Sequence, residues 1–171
     1  MRNGLIAGIV VTTLLTLCAD GFAQNNMSKM RRYTKVPSGY LMVLRQGDNL
    51  FEQLEAFAIA ENIPSANLSG MGFVNIRFGF FDFKTKKYNP KVFNDVELAS
   101  MQGTIAWKDE KPSIHAHGVV GDETFNGHAG HILDATVSTG SLEILIIPHD
   151  KKFERKQDPS IGANVLDIDG D

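Results

Sequence analysis

Between residues 66 and 148 the apolar residues of this chain recur with a period of two, interrupted by glycines and short polar turns. Such alternation buries one face of each extended segment and leaves the other outward, which restricts the chain to a strand-built core. Residues 66–72 and 73–83 read as strands, with Gly70 and Gly72 suited to a bend or a close backbone approach. Residues 84–90 form a polar turn, 96–107 a long strand and 108–112 a charged loop. Residues 113–120, 131–138 and 142–148 complete the series, and the run Leu142-Glu143-Ile144-Leu145-Ile146-Ile147 is apolar enough for a central position. Upstream, residues 40–45 form a further strand before Gly47-Asp48.

One helix stands before this region. Asn49 is placed to cap it, with Glu52 three residues on. Leu50, Phe51, Leu54, Phe57 and Ala58 form one apolar stripe of helical spacing, and Pro64 ends it. One main helix among about seven strands gives an α+β class with a mainly antiparallel sheet. The tail from His149 onward is charged and reads as extended, with a final strand at 165–168.

Residues 1–23 have the pattern of a secretory signal peptide: Arg2, an apolar stretch from Leu5 to Leu17, and Gly21-Phe22-Ala23 before the cleavage point. Leu17 stands where a lipoprotein peptidase needs a small residue, which disfavours lipid attachment at Cys18. The expectation is an exported protein, periplasmic or secreted, with no stable membrane insertion after cleavage. Cleavage removes Cys18, the single cysteine, so the mature chain has no thiol and any metal site must use His, Asp, Glu or water. Residues 24–38 are polar, contain Lys29, Arg31, Arg32 and Lys35, and read as a flexible lead-in to a domain over 39–169.

The chain has 171 residues, with 17 basic and 20 acidic side chains and a net charge of −3. That balance disfavours a strongly basic, non-specific nucleic-acid binder. Phe73, Phe78, Phe80, Phe81 and Phe83 have few interleaved basic residues and read as core and subunit interface, not as a stacking platform for bases.

The histidines carry the chemistry. In His115-Ala116-His117 the spacing of two puts both imidazoles on one face of a strand. His128 and His131 follow at the start of the next strand, near enough to complete a site for one ion. Three imidazoles from two strands leave a position open, the arrangement of a catalytic zinc, although imidazole also suits nickel, copper or iron. The alternative is a set of polar residues on the solvent face of a hairpin. His149, past a strand end, reads as surface. Glu97 and Glu143 each lie in an apolar strand context, so each is a candidate acid/base, ligand or partner orienting an imidazole, against the simpler role of an exposed strand residue. Phosphate-binding glycine loops, Gly-x-Ser-x-Gly and His-Glu-x-x-His are absent. Asp167, Asp169 and Asp171 lack the glycine and downstream Glu of a calcium loop.

Taken in order, several stretches resemble the plant and prokaryote conserved (PPC) domain: Tyr40-Leu-Met-Val-Leu-Arg45-Gln-Gly47-Asp48, Ala60-Glu61-Asn62-Ile63-Pro64-Ser65-Ala66, Ser69-Gly70-Met71-Gly72 and Glu97-Leu98-Ala99-Ser100-Met101-Gln102-Gly103. His115-Ala116-His117 and Ala129-Gly130-His131-Ile132 are the most specific, the latter departing mildly from Gly-Gly-His-Leu, with His128 additional. The resemblance spans about 39–169. It implies a homotrimer, a divalent metal (zinc) on His115, His117 and His131, and a fold similar to acetolactate decarboxylase and a related zinc ester hydrolase. A metal-dependent lyase or hydrolase acting on a small molecule is one implied function, a non-catalytic trimeric binding or assembly module is the second, and DNA binding through the PPC domain is a third, less favoured one. Plant relatives act on DNA through an added AT-hook. This chain has no Arg-Gly-Arg-Pro, and its signal peptide argues against a chromosomal target.

Overall fold

A computed structural model describes residues 31–169, so the signal-peptide reading of 1–23 lies outside the described residues. The elements are β1 (Tyr33–Val36), β2 (Gly39–Arg45), α1 (Leu50–Ala60), β3 (Ser65–Asp82), β4 (Lys87–Lys108), β5 (Lys111–Gly121), β6 (Gly127–His149), β7 (Glu154–Asp158) and β8 (Ala163–Asp167). Among the described residues the class is as expected, mostly sheet with one helix, but there are eight strands. Every strand pairing is antiparallel except β4 with β7, joined in parallel at Trp107 and Glu154.

The sheet follows the order β1-β2-β6-β3-β4-β7-β8, while β5 pairs with both β4 and β6. Strands β3, β4, β5 and β6 therefore close on one another. The segments read as 66–72 and 73–83 are one bent strand, as are 131–138 and 142–148. Register shifts at Gly70/Gly72 and Val74/Ile76 let these long strands curve without ending. At the bend Gly72 meets β6 so closely that a Cβ there would lie 2.2 Å from the Ser141 carbonyl oxygen.

Helix α1 begins as read: the Asn49 side-chain oxygen accepts from the backbone N–H groups of Phe51 (3.0 Å) and Glu52 (3.2 Å). Leu50, Leu54, Phe57 and Ala58 are fully buried and join the inward residues of the strands in one core. Each large side chain buried there contributes about 1.5–3 kcal/mol of transfer free energy. Among the described residues no helix is long and apolar enough to cross a membrane.

Two segments differ from the sequence reading. Tyr33–Val36, inside the stretch read as a flexible lead-in, is strand β1. Its Tyr33 ring packs edge-on against Phe57 at 4.8 Å, and the Tyr33 and Tyr40 hydroxyls both donate to Glu61. Arg32 adds a two-pronged ion pair to Asp48. The tail from His149, read as extended with a strand at 165–168, folds back as the β7–β8 hairpin.

Candidate metal centre

The histidine site is a product of strand alternation. Along β5, Ala116 and Val120 turn inward and are buried, which turns His115 and His117 to the opposite face. Across the β5–β6 ladder His131 stands opposite His117. The Nε2 atoms of His115 and His117 are 3.2 Å apart, and His131 Nδ1 is 3.4 Å from His117 Nε2. One ligand atom from each residue fits within a span of 4.8 Å. Ligands at ~2.0–2.1 Å around a tetrahedral zinc lie roughly 3.3–3.4 Å from one another, so the two short separations match edges of that polyhedron. The three residues therefore fit a divalent ion.

Electrostatics favour the same role. Burial, followed by the neighbouring His115, His117 and Arg155, pushes His131 down to about 4. His115 is lowered by burial, then by Arg155 and His117. Both imidazoles are thus neutral near pH 7, the form that binds metals. Tyr88 stacks on the His131 ring, with centroids 4.8 Å apart and planes inclined by 18°, and fixes its orientation.

The remaining sequence candidates lie elsewhere. His128 is not part of the cluster: three positions from His131, it falls on the other face of β6, where it stacks on Phe93 at 4.5 Å and contacts Asp122 at 3.2 Å. Glu97 and Glu143 are exposed, each between buried neighbours, and neither enters the histidine cluster. Phe78 is core and Phe81 half-buried, whereas Phe73, Phe80 and Phe83 are exposed.

A groove of about 570 Å³ runs beside His115 and His117, walled by Asn67, Ser69, Gln102, Thr104, Leu145 and Ile147. A second depression of about 320 Å³ shares Ser69, Gln102 and Leu145 with it and reaches Glu143 and Met71. Two contributors escaped the sequence reading. Tyr88 sits in what looked like a polar turn, and Arg155 in Glu-Arg-Lys-Gln-Asp, where nothing in the pattern signals burial. Yet Arg155 is only 7% exposed, and its Nη2 donates to Thr104 Oγ1 at 2.6 Å.

Comparison with known proteins gives the family and the fold relatives of the chain. A protein from Ralstonia eutropha JMP134, named provisionally for DNA binding, is 52% identical with a TM-score of 0.78, over 80% of this chain and 96% of that one. The metal-containing protein of Archaeoglobus fulgidus is 28% identical with a TM-score of 0.69, over 80% of this chain and 98% of that one. Acetolactate decarboxylase from Bacillus subtilis subspecies spizizenii is similar in fold alone, at 13% identity and a TM-score of 0.50, over 72% of this chain and 56% of that one. No curated protein matches significantly. Residues 31–150 match the Plants and Prokaryotes Conserved domain, and the chain belongs to that family.

Proposed function

We propose that this is an exported, homotrimeric PPC-domain protein that holds a divalent metal, zinc, on His115, His117 and His131 and acts on a small molecule as a lyase or hydrolase. The observation that carries the reading is the convergence of three imidazoles within 4.8 Å. The metal-containing name of the Archaeoglobus relative supports it. When bound, such an ion polarises a carbonyl oxygen or lowers the pKa of water. The chain's own residues then have distinct parts. His115 and His131 stay neutral as ligands, Tyr88 holds the His131 ring, and the groove beside them receives the molecule. Glu143, at the continuation of that groove, is the candidate for moving a proton. Export rests on the pattern of residues 1–23.

Trimer assembly is supported by apolar residues exposed on the sheet face away from the core: Met71 at 59%, and Phe73, Val119 and Ile147 at just over 40%. The same observation favours a second reading, a trimeric binding module whose metal is structural. DNA binding, for which the Ralstonia relative is named, has no support in a net charge of −3.

Metal analysis by mass spectrometry of residues 24–171, purified without a histidine tag, tests the site. One ion per chain, lost in the His115→Ala/His117→Ala double variant, is expected. Absence of metal from the unsubstituted protein removes the enzyme reading. With metal present, turnover on a panel of carbonyl and ester substrates separates enzyme from module, and sedimentation of the same protein tests the trimer.

A further inference from the structure

Arg155 is a nearly buried cation that has no counter-ion among the described residues. Its Nη2 bonds to the hydroxyl of Thr104, and its Nε is buried with no acceptor. Among the described residues no carboxylate pairs with it. A guanidinium taken out of water in this way is strongly unfavourable unless an anion compensates it. Its position is not arbitrary. Thr104 is the β4 partner of His115 and lines the groove beside the histidines. The Arg155 charge also reaches both His115 and His131. A divalent ion on the three imidazoles beside this guanidinium concentrates positive charge where the cluster itself contains no carboxylate.

We propose that the site takes a small organic acid, its carboxylate anchored by Arg155 next to the metal-binding histidines and its body lying along the groove between Gln102 and Ile147. The planar fork of a guanidinium matches a carboxylate. The groove walls are amide, hydroxyl, imidazole and aliphatic, and the single guanidinium beside them balances the one charge of a carboxylate on a short organic chain more closely than the roughly doubled charge of a phosphate. The inference rests on the metal reading for the ion, but the anchor belongs to the chain itself.

The test is calorimetric titration of pyruvate, and separately of inorganic phosphate, into residues 24–171 and its Arg155→Met and Arg155→Lys variants. Zinc content and thermal midpoint are measured on the same samples. Pyruvate is expected to bind the unsubstituted protein and raise its midpoint. Arg155→Met should weaken that binding by about tenfold or more. It should keep its zinc and match or exceed the ligand-free midpoint of the unsubstituted protein, because it removes an uncompensated buried charge. Arg155→Lys should fall between the two. Equal binding of pyruvate to the protein and to Arg155→Met overturns the proposal, as does tighter binding of phosphate or no binding of either. A lowered ligand-free midpoint in Arg155→Met also overturns it, since Arg155 would then be structurally compensated. If no sample holds zinc, the metal reading fails, while Arg155-dependent pyruvate binding still upholds the anchor.

Discussion

His117 and His131 face each other across the β5–β6 ladder, with 3.4 Å between Nε2 of the first and Nδ1 of the second. The pairing register itself, and not a loop, sets the distance between two of the three clustered histidines. Anything that shifts this register, or the β4–β5 register behind it, disturbs the site before it disturbs the fold.

Gly103 tests that dependence. It pairs with Ala116, and an added Cβ would lie 2.6 Å from the His115 carbonyl oxygen. Gly103→Ala must therefore push β5 away at His115. Zinc affinity should fall by about tenfold or more, as for lost support of a ligand, while the far-ultraviolet circular dichroism stays unchanged. Unaltered affinity would show that β5 absorbs the methyl group elsewhere.

Tyr88→Leu removes the ring stacked on His131 but keeps an apolar side chain. An aromatic pair contributes about 0.5–1.5 kcal/mol beyond area, so zinc affinity should drop roughly two- to tenfold. Competition against a chromogenic chelator measures the change.

Acid should weaken the metal-free protein in a defined window. His131 titrates at about 4 in the fold, lowered first by burial, against about 6.5 for an unperturbed imidazole. The unfolded chain then binds more protons between these values, so stability is complete above pH ~6.5 and declines as pH falls toward 4. His115 acts in the same direction. Urea midpoints of chelator-treated protein should follow this trend, and His131→Gln should flatten it. A profile identical in protein and variant would contradict the assignment.

Asn49→Ala removes two helix-capping acceptor contacts and the bond from Asn49 Nδ2 to Asp134 at 2.9 Å. Urea unfolding should show a loss of about 1–2 kcal/mol, with zinc content unchanged because α1 carries no ligand.

The sheet, the helix and the His115–His117 pair were legible because each obeys a local period, two for the histidines and about 3.6 for the Leu50-Leu54-Phe57-Ala58 stripe, whereas His131 was singled out from His128 by the family resemblance. His128, kept as a candidate in the sequence reading, lies a step of three from His131 and so on the other face. Arg155 was not legible, because its burial comes from the return of β7 against β4, and five successive polar residues carry no local sign of it. Nor was β1, whose Tyr33 is ordered by Phe57 and Glu61 from distant parts of the sequence. Glu97, which lines neither depression, shows the converse limit. Apolar flanks identify the face a side chain takes, but not its distance from a site on that face.

The closed pairing of β3, β4, β5 and β6 bears on the time scales of the site. His117 belongs to β5, which is laddered to a neighbour on either side, so its amide should exchange with solvent only in the rarest and largest openings of the fold. Arg155 belongs to the β7–β8 hairpin, held to β4 by one ladder pair, Trp107 with Glu154, the bond from the Trp107 N–H to the Phe153 carbonyl and the Arg155–Thr104 bond, so its amide should exchange sooner than that of His117. The three imidazoles thus sit where the sheet is tied from both sides, while the guanidinium beside them reaches the cluster from a hairpin with fewer ties to it.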